Sequence, residues 1–317
     1  MVAAPFGSVA DLIMGSAVPT FRSQTSRTAL GTAYLRAAHQ ILDAPPRILD
    51  DPFAVPLLGA AAAQRITDQA AAYRTPERRA LRAHVVLRSR FAEDRLAASA
   101  SRGATQYVIL GAGFDTFALR QPAWAGQLKI VEVDHSATQD LKRTYLADAG
   151  FVIPKNVVFA GIDFETESLR HCLRRHGVAL NEPTFFAWLG VTMYLKEDAI
   201  DAVLSTVAAF PSESEIVLTF TQRRGDSPSA LAQRAASLGE PWVSYFEPPA
   251  LEAKLRSAGF SSVEFLSPAE AEARYFRDRP QDLPVPAKIN IVRAVRDADP
   301  SGADATGSVC QRFAKCS

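Results

Sequence analysis

The sequence predicts a doubly wound α/β sheet, and three observations carry that reading. From residue 107 onward, short runs rich in β-branched and aromatic residues alternate with helical patterns, as parallel strands joined by helical crossovers require. The first run, "YVIL", leads directly into Gly111-Ala112-Gly113, at the strand end where such sheets hold ligands. A length of 317 residues allows one large core or two small ones.

The elements follow in order. Residues 1–24 show no period. "SRTALGTAYLRAAHQIL" sets Leu30, Tyr34, Ala37 and Ile41 on one helical stripe. "DAPPRILDDPFAVPLLG" is rich in proline and aspartate and reads as a loop. A long helix is predicted from about Pro76 to Ala98. Seven β runs come next, at 107–110, 129–133, 157–161, 184–189, 215–220, 262–266 and 288–295. In "KEDAIDAVLSTVAAF", Ile200, Val203, Leu204 and Val207 form a helical stripe that Pro211 ends. "PPALEAKLRSAGF" starts a helix with proline and ends it at Gly259. No helix separates the last two runs, so one of them is expected to run antiparallel. The domain reading is a helical cap over 1–102 and a sheet core over 103–297, with a lid insertion at about 221–250. The small, polar residues 298–317 read as a disordered tail.

Composition excludes several classes. Lys plus Arg number 35 against 34 Asp plus Glu, a formal charge of +1, which gives no broad field for nucleic acid or an anionic membrane. Cys172, Cys310 and Cys316 form neither a metal-spaced set nor an even disulfide framework, which suits a reducing cytoplasm. No apolar run reaches the roughly 20 residues of a membrane helix, and "MVAAPFGSVADLIMG" lacks a basic leader region.

The candidate site is read from strand ends. Gly111 and Gly113 let a ligand approach bare backbone, or simply supply a tight turn. A dinucleotide fingerprint needs a third glycine where Thr116 stands, so a smaller adenosine-containing ligand fits better. Asp134 ends the second run and can accept two ribose hydroxyls. Glu132 shares its face and either binds ligand or pairs with a base. Asp163 and Phe164 end the third run, offering an acceptor and a flat wall to adenine; Asp163 could equally cap a helix. Arg88 falls inside the apolar stripe of Leu81, Val85, Ala92 and Leu96, where a guanidinium needs a partner, either a protein carboxylate or a ligand's.

Beyond these positions, "SRTALGTAYLRAA", "ILDDPFA", "LRSRFAEDRL", "YVILGAGFDTFALR", "VEVDHSATQDLK" and "GIDF" together resemble the bacterial branch of the leucine carboxyl methyltransferase family, over roughly residues 25 to 295. The resemblance implies a class I, Rossmann-like methyltransferase fold of seven strands with an antiparallel last strand. It also implies S-adenosyl-L-methionine as cofactor. Gly111 and Gly113 would lie under its methionine part, Asp134 at the ribose, Asp163 and Phe164 around the adenine, and Arg88 on the methionine carboxylate. One position departs: "AWLGVTMYL" carries Leu189 where the family often has glutamate, so Trp188 and Leu189 would shape a more apolar site.

The function expected is cytoplasmic O-methylation of a carboxylate or hydroxyl on a small molecule, in the manner of secondary metabolism. Tyr194 and His135 are the candidate bases for a hydroxyl acceptor, although packing and a structural role also account for them. His171 and His176 do not share a helix face, so no metal site is expected. Trp242, Tyr245 and Phe246 are the aromatic candidates for a lid over the acceptor. Two competing readings are a nicotinamide-dependent oxidoreductase, which the missing glycine opposes, and a non-catalytic protein with a retained nucleoside pocket, which the Leu189 departure supports.

Overall fold

The computed structural model describes residues 26–223, 225 and 227–297. The expectations for 1–24 and for the tail 298–317, with Cys310 and Cys316, lie outside them. Seven strands form one sheet: β1 (Gln106–Leu110), β2 (Lys129–Asp134), β3 (Val157–Gly161), β4 (Thr184–Trp188), β5 (Glu215–Thr219), β6 (Ser262–Phe265) and β7 (Ile291–Val295). Their order is β3-β2-β1-β4-β5-β7-β6. All pairings from β3 to β5 are parallel. β7 runs antiparallel to both β5 and β6, as the missing crossover helix predicts.

The order reverses at β1, so β1 and β4 part above a crevice at the C-terminal rim, the usual ligand position in such sheets. Every residue of β1, β4 and β5 is buried, because helices cover both faces. On one face Val108, Val131, Phe186 and Ile216 pack with α-helical residues such as Val203 and Leu255. On the other, Tyr107, Ile109, Phe185 and Val217 pack against Val86, Leu87, Phe91 and Leu96.

The helices follow local signals. α1 (Arg27–Leu42) starts where the Ser26 hydroxyl accepts the Ala29 N–H, and it buries Leu30, Tyr34 and Ala37. α2 (Pro76–Ser101) has Thr75 as N-cap and proline in its first turn. Between them the structure adds short helices at Ala54–Leu58, Ala60–Asp68 and Ala70–Tyr73, within and beyond the segment read as loop. α3 (Ser136–Asp148), α4 (Leu169–Arg175) and α5 (Glu197–Ala208) are the crossovers after β2, β3 and β4. α6 (Ala230–Ser237) and α7 (Pro248–Ala258) follow β5, and left-handed Gly259 ends α7.

The cap has its own core, with Leu30, Tyr34, Leu57, Ile66, Tyr73 and Val85 among its members. α2 serves both cores: Val85 faces the cap, while Val86 and Leu87 face the sheet. The helix that the sequence reading assigned to the cap is therefore also one wall of the sheet.

Candidate functional site

The strand ends converge. Gly111 and Gly113 adopt left-handed φ of 68° and 48°. Their bareness serves the protein as well as any ligand. A Cβ on Gly111 would collide with Val191, and one on Gly113 would stand 3.1 Å from the Ala29 side chain. The Gly113 N–H donates to Asp134 Oδ2 and the His135 N–H to Oδ1, both at 2.6 Å. Asp134 thus pins the turn to β2 while keeping lone pairs for further donors. Burial raises its pKa, against the lowering effect of these two backbone donors.

Asp163 stands just past β3, whose last residue pairs with Asp134. Its Oδ1 accepts the Glu165 N–H at 2.9 Å in a turn, and Ser168, not Asp163, caps α4. Oδ2 makes no hydrogen bond among the described residues. Phe164 reaches across to Trp188 at the end of β4, ring centroids 6.4 Å apart. Glu132 takes the other of its two readings: it is buried and ion-paired to Lys142.

Arg88 projects from α2 to the β4 side of the crevice. Its guanidinium lies so close to Gly190 that a Cβ there would meet Nη1 at 2.6 Å. Among the described residues it makes no hydrogen bond or ion pair. Burial pushes its pKa down to about 10, with the Tyr194 phenol opposing and Arg36 reinforcing that effect. One turn earlier, burial and the Arg88 charge push His84 down to about 3. A half-buried cation with no ion pair among the described residues, and only the more distant Asp115 to offset its charge, is the feature of this crevice that most needs an outside partner.

Of the candidate bases, His135 has the structural role: its Nδ1 accepts the Ala137 N–H at 3.3 Å as the N-cap of α3. Tyr194 lies in the crevice, its phenol faced by Thr28 and Trp242. Burial is the main cause that raises its pKa, and the Glu240 charge adds to this. Trp242 Nε1 approaches that phenol without reaching hydrogen-bond geometry. Trp242 and Tyr245 meet edge-on at 6.4 Å, and Arg223 stacks over Tyr245. The segment carrying them is held by Val243 N–H to Met193 O at 2.7 Å and by the Ser244 hydroxyl to Leu195 O at 2.6 Å. Phe246 is buried and packs in the sheet core.

Two groupings escaped the sequence reading. Beneath the glycine turn, Arg36 donates to Asp115 at 3.0 Å, to Asp51 at 2.7 Å and to Thr116 at 2.6 Å. Arg120 joins Thr116 to Glu93. Thr116, in the third glycine's place, is thus a buried node of this network. Above the turn, Glu240 gathers the first residues of α1. Pairings across 79 to 80 residues and across 212 to 214 residues leave no local signal.

The leucine carboxyl methyltransferase family model matches residues 29–208 of this chain. YktD of Bacillus subtilis, provisionally named an S-adenosyl-L-methionine-dependent methyltransferase, is 35% identical over 202 residues, covering 61% of this chain. A provisionally named methyltransferase of the same cofactor dependence from Mycobacterium marinum is 30% identical over 202 residues, covering 62%. The chain spans 66% of the length of each relative. The crystal structure of a DUF574 family protein from Streptomyces avermitilis shares the fold, with a TM-score of 0.53 at 15% identity, covering 87% of this chain and 99% of that one.

Proposed function

Given that the chain belongs to the leucine carboxyl methyltransferase family, we propose that it transfers a methyl group from S-adenosyl-L-methionine to an oxygen of a small molecule. The observation that carries this reading is Arg88, a half-buried guanidinium beside Gly190 that makes no ion pair among the described residues, Asp115 acting on it only at longer range. A ligand carboxylate supplies the missing charge, and the guanidinium fork can grip it bidentately. The other positions fit the same ligand. Asp134 can accept ribose hydroxyls, Asp163 Oδ2, which has no hydrogen bond among the described residues, can accept an exocyclic amine, and Phe164 offers a flat apolar surface. Thr116, tied into the Arg36 network, leaves no third glycine for a pyrophosphate, which argues against a nicotinamide dinucleotide.

When bound, the cofactor would supply an electrophilic sulfonium methyl group for in-line transfer to an oxygen lone pair, with sulfur retaining the electrons of the broken bond. The protein's part is to orient the acceptor and exclude water. Neither candidate base is suited to removing a proton. Tyr194 is held protonated by burial and by Glu240. His135 has its Nδ1 committed to the helix cap. Nearby His84 is neutral but very weakly basic. These observations favour an acceptor that is already anionic, a carboxylate over a hydroxyl, because a carboxylate releases no proton on methylation.

Titration calorimetry with S-adenosyl-L-methionine and with NAD tests the cofactor, and the expected result is binding of the first alone. Binding of NAD alone withdraws the reading. A panel of carboxylic acids and phenols with methyl-labelled cofactor then tests the acceptor, with methyl esters as the expected products.

A further inference from the structure

The first turn of α1 and the segment after α6 meet on one carboxylate. Glu240 accepts the Arg27 N–H at 2.6 Å and the Thr28 N–H at 3.2 Å on Oε1. Its Oε2 accepts the Ser26 hydroxyl at 3.0 Å and the Thr28 hydroxyl. A carboxylate at a helix N-terminus satisfies donors that the helix itself cannot and complements its dipole. Here the helix and the carboxylate belong to segments more than 200 residues apart in sequence.

The place of this junction gives it meaning. Ala29, in the same turn, packs over Gly113. The Ser26 N–H donates to Thr138 Oγ1 on α3 at 3.2 Å, so the turn also bridges to the β2 side of the rim. On the other side of the junction, Trp242 and Tyr194 lie within two residues of Glu240 or in contact with Thr28. The turn therefore roofs the glycine loop, and the segment beyond Glu240 roofs the Tyr194 end of the same crevice. The oxygens of Glu240 hold the two roofs together.

We propose that Glu240 is a latch: the first turn of α1 and the segment around 238–245 open and close over the crevice as one unit, and ligand exchange requires this carboxylate to release the helix. The inference rests on the cofactor reading only for its second clause. A polar direction follows from the same bonds. Glu240 can only accept, so the Thr28 hydroxyl donates to it.

The test is hydrogen exchange on the full chain, without ligand, for wild type, Glu240→Ala and the milder Thr28→Val. In Glu240→Ala, amides at 26–30 and at 238–245 should exchange faster together, by about tenfold or more, given the strength of hydrogen bonds to a charged group. Strand amides of β1 to β5 should be unchanged. Thr28→Val should shift both segments in the same direction by less, and it decides the matter if Glu240→Ala does not fold. Acceleration of one segment without the other, or of neither, overturns the latch. In a stopped-flow release experiment with S-adenosylhomocysteine, Glu240→Ala should raise the release rate about tenfold or more. A rate within twofold of wild type, with both segments loosened, overturns the exchange clause. A wild type that binds no S-adenosylhomocysteine refutes the cofactor reading instead, while exchange still decides the latch.

Discussion

At the scale of single residues, the role proposed for Arg88 sets binding against stability. Arg88→Ala should weaken S-adenosyl-L-methionine binding by about 1.5–3 kcal/mol, the scale of hydrogen bonds to charged groups. Calorimetry showing unchanged affinity in a folded variant would remove Arg88 from the cofactor site. Its folded-state pKa is depressed to about 10, so the cost of the buried charge is present throughout the neutral range. Arg88→Met should therefore raise the melting temperature of the ligand-free protein and shrink the gain produced by cofactor. His84 makes a separate pH prediction. Its pKa falls from 6.5 unfolded to about 3 folded, so the unfolded chain binds a proton that the native protein refuses. Stability should decline as pH drops from about 6.5 toward about 3, and His84→Gln should flatten that decline in denaturant titrations. The strand-end residues were legible because Gly111, Asp134 and Asp163 recur at one position relative to successive β runs. Arg88 was legible because a charge interrupts an apolar stripe. The partners of Arg36 and Glu240 were not, since a hydrogen bond between distant segments imposes no period on either. An aromatic residue in a connecting segment reads the same whether it faces a crevice or a core, and Phe246 is packed in the core.

At the scale of elements, the glycine turn is a joint packed from above and below. Gly111→Ala combines a left-handed φ of 68° with a collision against Val191. It should cost about 2–5 kcal/mol from the two effects together. Adding Val191→Ala should recover part of the loss in chemical denaturation, because it removes the collision and leaves the backbone strain. The network below the turn is equally exposed to single changes: Arg36→Met removes the cation that bridges buried Asp51 and partly buried Asp115, leaving Asp51 the more distant Arg120 at 3.7 Å, and a drop of about 3 kcal/mol is expected. All seven strands were legible from composition and spacing, since buried parallel strands read as short continuous apolar runs. α6 was not, although Ser229 caps it by accepting the Ala232 N–H. Its alanines pack few atoms and form no strong stripe, so the surrounding proline and glycine dominated the reading.

At the scale of the molecule, α2 joins the two cores, and cap and sheet should unfold in one calorimetric transition. A chain beginning at Gly103 would lack Val86, Leu87, Phe91 and Leu96, which are almost fully enclosed on one face of the sheet. Circular dichroism and proton NMR of that truncation should show an unfolded chain; native-like dispersion would mean that the sheet stands without α2. The reversed last strand has a practical consequence. Val295 pairs with Glu215, the first residue of β5, so the chain leaves the sheet on the margin opposite the crevice. A fluorescent reporter or affinity tag joined after Asp297 starts at the sheet margin away from the glycine turn, whereas one joined just ahead of Ser26 begins beside the helix turn that packs on Gly113.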